Sequence, residues 1–341
     1  MNDVAREAGV SLKTVSNVVN GYKYLRPETK ARVEAAIESL GYRVNVTARN
    51  LRQRRTGLIK LVVPELRNPY FAELADSVVQ EAIQRGLTVL LEQYHYDYDL
   101  EASVLQRNDK ERLVDGVIFS PVNVGQDEIE LFNVDFPLVI LGETVFGAPC
   151  DHVTMRNIEG ARAQVAHMVS LGRQSIAIIG YNEAVRVSSS KLRYKGASAE
   201  LHQAGLVIDP DLIEGPGSWT RPTGAQLMSR ILDRGKIPDA VVCFNDALAF
   251  GAMHELLRRG MHIPDDVAVI GFDNVEEARF AWPPLSSINP GRDQIAQIAV
   301  QMICERMGLV DGFDVGQPPR EVLTDFTLIA RESTVGSVHS S

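Results

Sequence analysis

The stretch VSLKTVSNVVNG, residues 10–21, reads as a short amphipathic helix and decides how the start of the chain is interpreted. Lys13, Asn17 and Asn20 are spaced i, i+4 and i+7, so they line one helical face. The residues on the opposite, buried face are Val15, Val18 and Val19. The pattern predicts a helix with one packed face and one polar face, which is either solvated or in contact with a partner.

Two more short helices flank this one. Residues 3–8 form the first, which Gly9 ends because glycine tolerates a positive φ. Ser11 is placed to cap the second helix, and Pro27 suits the first turn of a third helix that runs to about residue 40. Helix, tight turn and helix is the helix-turn-helix arrangement. We therefore predict a helix-turn-helix headpiece over residues 1–44.

Charge is distributed unevenly along the chain, although the whole chain carries a net charge of -9. Residues 1–60 hold 12 Lys and Arg against 5 Asp and Glu, a local net charge of +7. The remainder holds 23 basic and 39 acidic residues, a net charge of -16. A basic segment joined to an acidic body is typical of a nucleic-acid-binding module attached to another domain.

The second helix of a helix-turn-helix enters the major groove, where its N-terminal residues meet base edges. Lysine donates to guanine, asparagine pairs with adenine, and leucine contacts the thymine methyl group. The candidate base-reading residues are Leu12, Lys13 and Asn17. Other polar side chains suit phosphates, which position a protein without reading sequence; these are Ser11, Thr14, Ser16, Asn20 and Tyr24. The alternative is a three-helix module that binds another protein.

The next segment, NVTARNLRQRRTG at residues 45–57, is basic and has few apolar residues. It is too short to stay helical alone. It is either a charged linker or a hinge segment that orders on DNA, with Leu51 as an apolar wedge in the minor groove. The candidate hinge residues are Ala48, Arg49, Leu51 and Arg52.

From Leu58 the pattern changes to short apolar runs that alternate with helical segments. Such runs are typical of buried parallel strands, and they lie at 58–63, 87–91, 116–120, 137–141, 175–180, 240–244 and 267–272. Two series of strands and helices predict two doubly wound α/β lobes in a core over 58–331. We expect one lobe at about 58–155 plus 289–316, the other at about 156–288 plus 317–331, and a polar tail at 332–341.

Ligands favour the carboxyl ends of parallel strands, so polar and aromatic residues after each run are candidates for a binding site. Tyr70 and Phe71 follow the first run, Asn245 follows AVVCF, and Asp273 follows VAVIGF. Trp219 either stacks on a ligand or belongs to the core. For Asp246, the simpler expectation is that it caps the helix beginning at Ala247.

Other classes of protein find little support in the sequence. No apolar run reaches the length of a transmembrane helix, and the N-terminus lacks the apolar segment of a signal peptide. Three dispersed cysteines suggest a reducing compartment, so we expect a cytoplasmic protein. Because phosphate-binding loops, metal-ligand spacings and nucleophile elbows are missing, we expect no enzyme activity, no cofactor and no metal.

The stretches DVAREAGVSLKTVSNVVNG and RPETKARVEAAIESLGYRVNVTARNLR strongly resemble the headpiece of the lactose-repressor/galactose-repressor (LacI/GalR) family. The resemblance continues through VVPELRNPYFAEL, VDGVIFSP, CFNDALAFGAM, IPDDVAVIGFDN and PPLSSI, so it covers nearly the whole chain. It implies a headpiece and hinge followed by a core like that of the periplasmic binding proteins. The implied hinge helix is 45–54.

The resemblance also implies a function. It places Arg193, Asn245 and Asp273 in a cleft that binds a small-molecule effector, a carbohydrate or a related compound. A homodimer would read a pseudo-palindromic double-stranded operator, because two-fold protein symmetry matches two-fold DNA. We therefore expect a transcription regulator, a repressor controlled by its effector. The alternative is a small-molecule receptor or sugar-active α/β protein without a transcriptional role.

Several residues depart from the family pattern. Asn17 stands where many members have an arginine, and Arg26 replaces a serine cap, which should weaken the start of the third helix. Arg67, Arg156 and Arg173 add positive charge in the core. If Arg156 faces the cleft, an acidic or phosphorylated effector is favoured over a neutral sugar.

Overall fold

The computed structural model describes residues 1–19, 22, 24–41, 55–111, 113–183, 188–215 and 217–336, without the side chains of 19 and 107–111. The chain forms two compact units, Met1–Thr56 and Gly57–Ser341. Five predicted DNA-contacting residues lie outside the described residues: Asn20, Ala48, Arg49, Leu51 and Arg52.

The first unit contains three helices, α1 (Asn2–Glu7), α2 (Leu12–Val19) and α3 (Pro27–Ser39). Its core is built from small aliphatic side chains, which are Val4, Ala5, Ala8, Val15, Val18, Val33 and Ala36. Gly9 has φ +61°, and the Thr14 amide donates to Ser11 Oγ at 3.1 Å. Arg26 precedes α3 without a side-chain capping bond. As predicted, Gly9 follows α1 with a positive φ, Ser11 caps α2, and Arg26 leaves the start of α3 without a side-chain cap.

The second unit contains two six-stranded sheets. The first has the order β11-β5-β4-β3-β1-β2 and is parallel throughout. Its strands are β1 (Leu58–Val63), β2 (Thr88–Gln93), β3 (Gly116–Phe119), β4 (Leu138–Leu141), β5 (Asp151–Met155) and β11 (Glu321–Thr324). The second has the order β12-β10-β9-β8-β6-β7, with β12 antiparallel to β10. Its strands are β6 (Ile176–Ile179), β7 (Ile213–Glu214), β8 (Ala240–Cys243), β9 (Ala268–Phe272), β10 (Ser286–Asn289) and β12 (Thr327–Ile329).

Helices connect and cover these strands. They are α4 (Pro69–Gln84), α5 (Tyr98–Glu111), α6 (Asn157–Ser170), α7 (Ser189–Gln203), α8 (Arg221–Asp233), α9 (Asp246–Arg258), α10 (Glu277–Phe280), α11 (Arg292–Arg306) and α12 (Glu332–Val335). Helices α4 and α11 pack together against the first sheet. Helices α8 and α9 approach so closely that a Cβ atom on Gly251 would lie 2.0 Å from the Arg221 carbonyl oxygen. The expected two-lobed α/β architecture is confirmed.

Two expected boundaries are wrong. Residues Glu321–Thr324, expected in the second lobe, pair with β5 in the first sheet. Residues Glu332–Val335, expected to lie in a polar tail, form α12, in which Ser333 and Thr334 are buried. Ser333 Oγ donates to the Val269 carbonyl and accepts from the Ser286 amide. Short polar segments carry no local signal for the element they join, because their partners lie far away in the sequence.

Across the part of the chain that the structure describes, no helix is both long and apolar enough to span a membrane.

Candidate functional site

The three predicted base-reading residues of α2 differ in their exposure to solvent. Leu12 is 40% exposed and Lys13 is exposed. Asn17, about one turn later, is half-buried and so less accessible. Val15 and Val18, on the opposite face, are buried. The helix therefore has the packed face and the polar face that its spacing predicts, and Lys13 is free to reach a partner.

The described members of the predicted phosphate set are also at or near the surface. The hydroxyls of Ser11 and Thr14 lie 2.9 Å apart at the start of α2, so each has a partner within the unit. Ser16 is half-buried, and Tyr24 is 86% exposed beside Tyr22. Contacts of these residues with DNA remain predictions.

A cavity of about 450 Å³ lies between the two lobes of the second unit. It is lined by residues that follow β1, β3 and β4 of the first sheet and β6, β8 and β9 of the second. This is the place where parallel sheets bind ligands, because helix N-termini and loop side chains converge at the carboxyl ends of the strands. All six predicted effector-binding residues line it: Tyr70, Phe71, Arg193, Trp219, Asn245 and Asp273.

Arg193 is the central cation of this cavity and is only 3% exposed. Its Nε donates to Asn157 Oδ1 at 2.7 Å, and its Nη1 donates to the Phe244 carbonyl. The guanidinium lies 3.6 Å from the centroid of the Phe272 ring. Burial lowers the pKa of Arg193, and nearby carboxylates oppose that shift. The side chain is therefore held rigidly by the second lobe.

Asp273 faces Arg193 with 3.9 Å between Oδ1 and Nη1. Its φ of +120° is unusual for a residue with a side chain, and such strain concentrates at functional sites. Its amide donates to the Ile288 carbonyl of β10 at 2.8 Å, which holds the backbone in this conformation. Burial raises the pKa of Asp273 well above its usual range, and Arg193 opposes the shift.

The expected capping role of Asp246 is wrong. Asn245, not Asp246, caps α9, because its Oδ1 accepts from the Leu248 amide at 2.8 Å. Asp246 is fully buried and accepts from Ser287 Oγ at 2.6 Å and from the Val275 amide at 2.9 Å. Asn245 still lines the cavity, so capping and ligand contact are compatible for this side chain.

Aromatic rings form the walls. Tyr70 and Phe71 pack edge to face at 5.2 Å at the start of α4, where Asn68 caps the helix. Burial raises the pKa of Tyr70, and it raises the pKa of Tyr96, another wall residue, to about 12. Trp219 lines the cavity and also packs against the second-lobe core, and stacking on a ligand stays a prediction.

Sequence reasoning missed much of the first-lobe wall. Residues 120–123 follow β3, and Gly142, Glu143 and Thr144 follow β4. The signal was available, because both strands are predicted from their apolar runs and polar residues follow each of them. Thr154 and Met155 come from β5, a strand too polar to stand out as an apolar run.

The unusual arginines lie elsewhere. Arg156 Nε lies 3.7 Å from Asp325 Oδ1. Arg173 donates to the Pro264 carbonyl at 2.7 Å, and Arg67 is exposed. They are absent from the described lining of the cavity. The condition that favoured an acidic effector is therefore not met. Among the described residues, no group of three or more His, Cys, Asp or Glu side chains is arranged to hold a metal ion.

Comparisons with known proteins agree with this architecture. Residues 1–45 match the family described as bacterial regulatory proteins, lacI family, and residues 165–334 match the periplasmic binding protein-like domain. The chain is similar to the HTH-type transcriptional repressor PurR of Histophilus somni (strain 129Pt), with 30% identity over 90% of this chain and 92% of that protein.

Solved structures give the same result. The Lac repressor dimer bound to operator and the anti-inducer ONPF has a TM-score of 0.82 and 26% identity, covering 97% of this chain and 98% of that chain. A complex of the transcriptional regulator CelR with cellobiose has a TM-score of 0.71 and 27% identity, covering 97% and 98%. The matches extend over the headpiece and both lobes, and the chain therefore belongs to the lacI family of bacterial regulatory proteins.

Proposed function

We propose that this protein is a sequence-specific repressor of transcription that acts in the bacterial cytoplasm and is controlled by a small-molecule effector. The observation that carries the proposal is the pairing of two sites in one chain. A basic helix-turn-helix exposes Lys13 and Leu12 on α2, and a separate unit encloses a cavity between two lobes. An enzyme or a simple receptor would need only the second of these.

Two features support a homodimer that reads a pseudo-palindrome. The similar Lac repressor is a dimer on its operator. In addition, Phe280 and Trp282 are 76% and 82% exposed at α10, an arrangement that a partner subunit would cover. Replacing both with serine should give a monomer in sedimentation equilibrium and weaken operator binding. Val207→Ser, which changes another highly exposed apolar residue, serves as the control.

Effector control follows from the position of the cavity. A ligand that contacts both lobes stabilises one arrangement of them, and the resulting change is transmitted towards the DNA-binding unit. By linkage, an inducer binds the operator-bound form more weakly and a corepressor binds it more tightly. The related regulator CelR was solved with cellobiose, which supports a carbohydrate or a related ring compound as the effector class. We expect no enzymatic activity and no cofactor.

The DNA-binding role is tested by selecting bound fragments from sheared genomic DNA at two salt concentrations. A palindrome that stays enriched at higher salt supports specific recognition, because nonspecific binding depends most strongly on salt. Enrichment that appears only when pooled metabolites are added supports a corepressor. If no sequence is enriched under either condition, the proposed repressor function is wrong.

Lys13 is tested within the same selection. If it reads guanine, Lys13→Ala should relax preference at one position per half-site, by about 1–3 kcal/mol for a bidentate contact. Lys30→Ala removes an equal charge from the exposed surface of α3 and should leave base preference unchanged. A uniform loss over all sequences would make Lys13 a phosphate contact. Leu51→Ala should reduce specific binding more than nonspecific binding, and equal losses would contradict its predicted role as a wedge.

A further inference from the structure

The carboxylate of Glu143 is a buried and only partly satisfied polar group of the cavity. The residue follows β4 in the first lobe and is 5% exposed. Its Oε2 accepts a hydrogen bond of 2.5 Å from Ser189 Oγ, which lies in the second lobe at the start of α7. Its other oxygen, Oε1, is buried and has no hydrogen-bond partner among the described residues. A buried carboxylate oxygen without a donor is unfavourable, so the site is incomplete by itself.

Neighbouring hydroxyls share this property. Thr144 Oγ1 and Ser188 Oγ are also buried and without hydrogen-bond partners in the described part of the chain. Each is adjacent in sequence to one member of the Glu143–Ser189 hydrogen bond, and all four residues line the cavity. We call these four residues the Glu143 cluster. Hydroxyls both donate and accept, whereas an ionised carboxylate only accepts. The cluster therefore requires at least one donor from the molecule that fills the cavity.

The charges of the cavity lining also favour a ligand that donates a hydrogen bond to Glu143. Its charged lining residues in the described chain are Arg193, Asp273 and Glu143. Arg193 lies 3.9 Å from Asp273, while no ion pair of Glu143 occurs among the described residues. The pKa of Tyr70 is raised first by burial and then by Asp273 and Glu143, so the field of Glu143 extends into the cavity. The formal charges of these three described residues sum to -1.

We propose that Glu143 determines effector specificity by accepting a hydrogen bond from a hydroxyl or N–H group of the ligand and by excluding ligands that are anionic at that end. The proposal rests on the proposed function, because it assumes that the cavity binds the effector. It reverses the sequence-based argument from Arg156, which lies outside the described lining of the cavity. A phosphate or carboxylate placed against Glu143 would bring two negative charges together, and Arg193, the cation of the described lining, already faces Asp273 at 3.9 Å.

The test compares neutral ligands with closely related anionic ones. The probes are glucose, cellobiose and adenosine, each paired with its anionic counterpart: glucose 6-phosphate, cellobionate and adenosine 5′-monophosphate. Binding to the full chain is measured by isothermal titration calorimetry and by the shift in melting temperature. We expect neutral members to bind and their anionic counterparts to bind far more weakly. An anionic probe that binds wild type as tightly as its neutral counterpart would overturn the proposal.

The variant Glu143→Gln keeps the size of the side chain and an oxygen that accepts from Ser189, but it removes the charge. It should bind the neutral probe about 10- to 100-fold more weakly, which is the range for losing a hydrogen bond to a charged group. The discrimination against the anionic counterpart should shrink. Glu130→Gln removes an equal charge from an exposed position outside the cavity and should change neither value. Equal affinity in wild type and Glu143→Gln contradicts the proposal.

A measurement without ligand separates this proposal from the proposed function. If Glu143 gains its missing hydrogen bond only from a ligand, unliganded Glu143→Gln should melt at the same temperature as wild type or higher, because an unsatisfied buried charge has been removed. A drop of more than about 3 °C would identify a structural role and overturn the proposal. If none of the six probes binds, that result counts against effector binding, and the melting temperature alone decides the role of Glu143.

Discussion

Glu101 should control the stability of the cavity wall through hydrogen bonds to one loop. The residue lies on α5 and is fully buried. Its Oε1 accepts from the amides of Val122 and Val124 at 2.8 and 2.9 Å, and both carboxylate oxygens lie 3.0 Å from the amide of Asn123. Val122 and Asn123 line the cavity. One side chain therefore fixes the loop that follows β3.

Glu101→Ala removes the acceptor for all three amides. The amide of Val124, a residue that is 1% exposed, is left without a partner, which costs about 1–3 kcal/mol. Val122 is 36% exposed and Asn123 is exposed, so water reaches them and each loss is about 1 kcal/mol. The free energy of unfolding of the second unit should fall by about 3–5 kcal/mol.

Glu128→Ala, in the short helical segment Gln126–Phe132 that follows this loop, is the matched control. It removes the same side chain, but Glu128 accepts from one backbone amide, that of Gly125, at 3.0 Å. Its loss should be about 1 kcal/mol. Urea denaturation followed by tryptophan fluorescence measures both variants, because Trp219 and Trp282 belong to the second unit. A difference of less than about 1 kcal/mol between the two variants would refute the reasoning.

Two further outcomes follow from the packing and from the titration of buried groups. Gly251→Ala places a Cβ 2.0 Å from the Arg221 carbonyl, so α8 and α9 must separate; we expect a loss of about 3 kcal/mol. Thermal unfolding should show a smaller loss for Gly160→Ala, whose Cβ meets the Phe272 side chain instead of backbone. Burial raises the pKa of Asp246 from 3.8 to about 7, so its contribution to stability is full below pH 3.8 and is lost as the pH rises through 7. The unfolding free energy of wild type should therefore fall relative to Asp246→Asn between about pH 4 and pH 8, and parallel curves would contradict the shift.

The local elements were predictable because their causes are local. Val15 and Val18 lie at helical spacing, Gly9 and Ser11 punctuate two helices, and runs such as AVVCF contain side chains buried on both faces. Periodicity, capping and hydrophobic runs depend on residues that are close in sequence. The resemblance of ordered motifs placed Arg193, Asn245 and Asp273 in one cleft, and the structure brings them to one cavity.

Elements whose stability depends on distant partners were not predictable. The strand Glu321–Thr324 is exposed at two of its four positions and belongs to the first sheet only because it pairs with β5. Residues after Arg331 look like a polar tail until Ser333 meets Ser286 and Val269. A short polar segment has no periodic signal of its own, so its place depends on contacts far apart in the chain.

The sequence by itself determined the helix-turn-helix, the two-lobed α/β core and six of the residues that line the cavity. Only the tertiary structure decided the charge of that cavity. It places Arg156 outside the described lining of the cavity, in an ion pair with Asp325, and it buries Glu143 against Ser189 of the other lobe. Charges are visible in a sequence, but their effect depends on burial and on distances between side chains, and these are set by the packing of two sheets against each other.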